Sequence, residues 1–165
     1  MFGMLRGYLM PIFSSERARA LGRPGLRGTC LVALIGLVIQ FALGMVLNLY
    51  VMVPAADAHA SWLQEIKTAP AILTAHALVG LVLLAAAGIL LLRAVALRDM
   101  VVITPTAAGL VAILGAFAAG EVFVKNGQDS ASLSMAILTG VALMCYIALQ
   151  TILNGARQVA GVGEY

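Results

Sequence analysis

The chain has 165 residues, 62% of them hydrophobic and 10% charged, and its mean hydropathy is +1.04. No water-soluble domain of this length carries so much apolar surface, so the composition describes a polytopic membrane protein. Ten Lys and Arg against seven Asp and Glu leave a net charge of +3, an excess that membrane topology and contact with anionic lipid account for without nucleic acid as a partner.

Residues 1–29 open with the apolar "MFGMLRGYLMPIF" and continue with the basic "ERARALGRPGLRG". A secretory signal has the reverse order and ends in a small-residue cleavage site, so this segment reads as a retained cytoplasmic or interfacial stretch. Phe2, Leu5, Tyr8, Leu9 and Phe13 would dip into the acyl boundary with Arg6 among headgroups, and a disordered tail is the alternative. Four windows without Lys or Arg follow at about 30–53, 71–92, 101–124 and 131–153. Each meets the roughly 20 helical residues that a hydrocarbon core about 30 Å thick requires. They are too long and too rich in Leu and Ala for strands, and in lipid a lone segment must satisfy its own backbone groups. The expected fold is all-α: an up-down-up-down bundle of four transmembrane helices, with 154–165 as a cytoplasmic tail.

The connections support that order. "VPAADAHASWLQEIKTAP" is bracketed by Pro54 and Pro70, and its middle suits a short surface helix held by Trp62 at headgroup level, with His59 solvated. "KNGQDS" combines an Asn126-Gly127 turn with Asp129 or Ser130 as a cap for the fourth helix. All eight Arg fall before the first window, between the second and third, or after the fourth, whereas Lys67 and Lys125 occupy the other two loops. The positive-inside rule then places both termini in the cytoplasm. Cys30 and Cys145 both lie towards the reducing side and in no C-x-x-C or C-x-x-C-H pattern, which argues against a disulfide, a zinc site and covalent haem attachment. The chain also reads as two hairpins with weak internal similarity, in which setting "TAHAL" against "LSMAI" puts His76 opposite Met135.

Polar residues inside a membrane cost free energy and are functional candidates by default. Gly36, Gln40, Gly44 and Asn48 recur every four residues on the first helix, and His76, Gly80 and Gly88 share a face of the second. The commonest use of such glycines is close helix approach, and Gln40, Thr139 and Gln150 read most simply as interhelical hydrogen-bonding residues. Depth singles out four more: Asn48, His76, Glu121 and Met135 all lie within about two turns of the outer ends of their windows. A histidine with glycine on its own face suits an axial ligand to haem b, with Met135 as the candidate second ligand and Asn48 and Glu121 as polar neighbours. The competing reading has His76 hydrogen-bonded to Asn48 or Glu121 across the bundle with no metal.

"LVIQFALGMVLNLYV", an outer loop, and "ILTAHALVGLVLLAAAGILLLRA" together resemble one four-helix half of the haem A synthase type. There a glutamine-glycine helix precedes a helix whose histidine ligates haem near its outer end. The resemblance implies a ligand role for His76 alone, because Met135 stands where a synthase half has a second histidine and Glu65 is no secure counterpart of the catalytic glutamate. Over residues 30–153 the chain also resembles a group of uncharacterised actinobacterial four-helix membrane proteins, through "LNLYV", "AH" and "VFVKNGQDSASLSMA".

Three functional classes follow. The first is a non-enzymatic bundle that joins a larger membrane complex, respiratory ones included, or assembles with itself. A b-type haem or quinone-site protein centred on His76 is the second. The third, a small transporter or channel, is the weakest, because no continuous polar path crosses the inner halves of the helices. No nucleophile–base pair, phosphate loop or metal-hydrolase motif suggests an enzyme.

Overall fold

A computed structural model describes residues 4–50, 70–126 and 129–161, with side chains placed for 25–50, 70–125 and 129–155. Its elements are α1 (Met4–Tyr50), α2 (Ala71–Leu97), α3 (Met100–Asn126) and α4 (Asp129–Gly161). Each contains a stretch long and apolar enough to cross a membrane: Gly25–Tyr50, Ala71–Leu97, Met100–Lys125 and Asp129–Gly155. The protein is therefore an all-α, multi-pass membrane bundle. Expectations for His59, Trp62 and Glu65 lie outside the described residues, as do those for the side chains of the N-terminal segment.

Two of the helices are much longer than their apolar windows. α1 is helical from Met4 through the basic segment, so the backbone of residues 4–29 runs into the first membrane-crossing stretch as one helix. α4 likewise runs on to Gly161. The apolar window ends where hydrocarbon ends, whereas a helix ends only where the backbone is forced out of it.

Around the bundle the order is α1–α2–α3–α4, each helix packing on two neighbours and the diagonal pairs staying apart. Chain neighbours are thus neighbours in space, as short connections require. The connection from α2 to α3 is the tightest described. Arg98 adopts a left-handed conformation (φ 53°) at the end of α2, its N–H donating to Val95 O at 3.0 Å. Asp99 Oδ1 then accepts from Val101 N at 3.1 Å and caps the first turn of α3.

Packing is uneven along the bundle. The buried core draws Leu26, Cys30, Ala33 and Leu37 from α1 and Leu83, Ala87, Leu90 and Ala94 from α2, and it includes Val102 and Ala112 of α3 and Ala142, Tyr146, Leu149 and Leu153 of α4. All of this lies in the middle and at the end that carries Arg93 and Arg98. At the opposite end, which carries Asn48, Leu47 and Ala131 are the buried hydrophobic residues among those described. Close approach in the core depends on small residues. Gly109 of α3 lies beneath the Tyr146 ring of α4, where an added Cβ would overlap the ring carbons. The outer surface is apolar, with Val82, Leu92, Val111 and Met144 among many exposed large side chains, as contact with lipid demands.

Most hydroxyls take no part in joining helices. Thr104, Thr106, Thr139, Thr151 and Ser134 each donate to the carbonyl four residues back on their own helix, at 2.6–2.9 Å. Thr139 is thereby satisfied by Met135 O and is not the interhelical residue that its position suggests. Both cysteines are free thiols.

Candidate functional site

α1 and α2 run antiparallel, and the polar contacts between them lie at two levels of one seam. Near the arginine end, Arg93 Nη1 reaches across from α2 and donates to Gly25 O at 3.1 Å and to Thr29 Oγ1 at 2.7 Å. A Cβ on Gly25 would sit 3.5 Å from Nη1, an ordinary contact distance, so the guanidinium lies against α1 without requiring glycine there. In the other half of the seam, Gln40 Nε2 lies 3.2 Å from His76 Nε2.

The second contact is reciprocal. A Cβ on Gly44 would stand 3.2 Å from His76 Cε1, and a Cβ on Gly80 would stand 3.1 Å from Gln40 Nε2. Each helix thus contributes one polar side chain and, four residues later, the glycine on which the partner's polar side chain rests. With the amide nitrogen of Gln40 donating, His76 Nε2 is the acceptor and Nδ1 carries the ring proton, an assignment that follows from the hydrogen bond. His76 Nδ1 and Gln40 Oε1 are buried without partners among the described residues.

The four residues singled out by depth make four separate contacts. Asn48 Oδ1 accepts from Ser132 Oγ of α4 at 3.1 Å. Glu121 is exposed and paired with Lys125, one turn further along α3, at 2.6 Å. Met135 Sδ rests on Gly120 of α3, 3.1 Å from where a Cβ would be. His76 pairs with Gln40 instead of Asn48, Glu121 or Met135 because the register of the seam sets it opposite Gly44. Asn48, four residues beyond Gly44, lies about 6 Å further out. The partner that depth alone missed could have been found from spacing: Gln40–Gly44 and His76–Gly80 are matching polar-x-x-x-Gly pairs on consecutive helices.

This arrangement bears on a haem. The space over Gly44 is filled by the His76 ring and the space over Gly80 by the Gln40 amide, so neither glycine leaves room for a macrocycle. His76 Nε2 is engaged by an amide nitrogen, and Met135 belongs to the α3–α4 seam. As placed, these residues do not fit a haem held between His76 and Met135. Among the described residues no group of three or more His, Cys, Asp or Glu could hold a metal ion. What the site can do chemically is donate one hydrogen bond from His76 Nδ1 and accept one at Gln40 Oε1. Comparison with protein-family models, with curated proteins and with solved structures found no match.

Proposed function

We propose that this chain is a non-enzymatic, multi-pass protein of the bacterial cytoplasmic membrane with both termini in the cytoplasm. It acts as a small accessory subunit of a membrane complex or as a homo-oligomer, and Gln40–His76 is a helix clasp. The reciprocal seating of Gln40 on Gly80 and His76 on Gly44 carries this reading, because it accounts for both polar residues and both glycines without a ligand. The partition of Arg and Lys among the loops supports the orientation. Not every small residue is used inside the bundle: Gly88 and Gly140 have nothing within 4 Å of an added Cβ, which leaves helix surface for a neighbouring subunit to approach.

The test is the visible absorption spectrum of the detergent-purified protein, taken with its mass in solution and repeated on His76→Ala. A colourless protein, destabilised by His76→Ala, fits the clasp. A Soret band that shifts on reduction and is lost in His76→Ala overturns it.

One atom supports a second reading. The buried, unpartnered Nδ1–H of His76 is a donor, and in this tautomer it suits the carbonyl of a quinone headgroup better than an iron ion. Binding of a quinone analogue that depends on His76 but not on Met135 would favour that reading over the clasp alone.

A further inference from the structure

Between its two polar contacts the α1–α2 seam is open to the surface. A cavity of about 230 Å³ is lined there by Val32, Ala33 and Gly36 of α1 and by Val79, Val82 and Ala86 of α2, among others. Its wall is apolar, and it is smaller than the roughly 300–1,000 Å³ of pockets that enclose drug-sized ligands. Towards the arginine end, seven residues from Ala86 and on the same face of α2, lies Arg93. One of its nitrogens is tied across the seam to Gly25 O and Thr29 Oγ1. The rest of the exposed guanidinium meets no carboxylate among the described residues, so a positive charge is held at the mouth of an apolar groove.

We infer that this seam binds an anionic phospholipid, the phosphate pairing with Arg93 and one acyl chain running along the seam into the groove. The dimensions agree. Arg93 lies four residues from the end of α2, at the edge of the hydrocarbon. The groove begins about 10 Å further in, at 1.5 Å per residue, within the roughly 15 Å of one leaflet that an acyl chain spans. Charge selects the occupant. Arg binds phosphate through a planar fork of donors, and a zwitterionic lipid brings its own ammonium to compete for that phosphate. A chain end also matches a small, apolar cavity better than a folded partner's side chain does, since such a partner would need its own way past Arg93.

The full-length protein in detergent, titrated with dioleoylphosphatidylglycerol or dioleoylphosphatidylcholine and read by native mass spectrometry, tests this. The first phosphatidylglycerol should bind about fivefold more tightly than the first phosphatidylcholine, the increment expected for one basic residue near an anionic headgroup. Arg93→Gln should abolish the preference, while Thr29→Val, which removes one tether but keeps the charge, should retain it. Val32→Phe with Ala86→Phe, which fills the groove from its lipid side, should weaken retention of both lipids. The preference in the unaltered protein should also shrink as salt is raised, a readout independent of how any variant folds. Equal binding of the two lipids by the unaltered protein, or a preference that survives Arg93→Gln, overturns the assignment. Tight phosphatidylglycerol binding that survives filling of the groove overturns the acyl-chain half of it.

Discussion

At Gln40 and His76 the energetic question is what remains when one partner is removed. An interhelical hydrogen bond in a membrane contributes about 0.6 to 2 kcal/mol, but a buried polar group left alone costs its own desolvation of about 1–3 kcal/mol. His76→Leu or Gln40→Leu alone should therefore destabilise the bundle by about 1–3 kcal/mol. The double substitution should cost less than the sum of the two, because it leaves no orphaned amide or imidazole. Reversible unfolding in mixed micelles with a double-mutant cycle measures this, and strict additivity would argue that the two side chains do not meet. Gly109 poses a steric version of the same question. Its Cβ position is occupied by the Tyr146 ring, which is itself fully buried, so Gly109→Ala should cost about 1–3 kcal/mol through overpacking. The same change at Gly140, where nothing lies within 4 Å, should be close to neutral.

The helices were legible in the sequence because length and apolarity bear on a single variable, the thickness of hydrocarbon, and the described residues of the four windows all fall inside the four helices. The pairing of side chains was not, since depth is one coordinate and the direction a side chain takes around its helix is another. Asn48, His76, Glu121 and Met135 fall in the outer part of their helices, yet they make separate contacts on three seams and one exposed surface. The two positions set opposite each other by the weak repeat do share a packing feature: His76 rests on Gly44 of the preceding helix, and Met135 on Gly120 of its own preceding helix. The turn between α2 and α3 shows a local conflict of the same kind. A left-handed residue at a helix end is usually glycine, and Arg98 occupies it here. Arg98→Gly should raise thermal stability by about 0.5–1 kcal/mol, whereas Asp99→Ala, which removes the cap on Val101 N, should lower it by about 1 kcal/mol. Thermal unfolding of both variants in the same detergent provides the comparison.

For the whole molecule, orientation is the first thing to measure. In a background without Cys30 and Cys145, cysteines placed at Ala60 and Gly127 should react with an impermeant thiol reagent from outside the cell, and one placed at Arg98 should not. Reaction at position 98 from outside would reverse the assignment of the arginine end to the cytoplasm. That end also holds nearly all of the tight packing, from Leu26 and Cys30 through Leu90 and Ala94 to Tyr146, Leu149 and Leu153. A bundle fastened this way is expected to work like a pair of tongs, the riveted end fixing how the helices are ordered and the far tips parting without disturbing the rivet. Separation there would sacrifice the Asn48–Ser132 bond and the burial of Leu47 and Ala131, while the core stayed closed. Amide exchange in micelles should accordingly run faster in residues 44–50 and 129–135 than in 26–37 and 142–153, each stretch being helical in the closed form. Polar molecules reaching the parted tips would meet Asn48 and Ser132 first, and the Gln40–His76 pair about one to two turns further in.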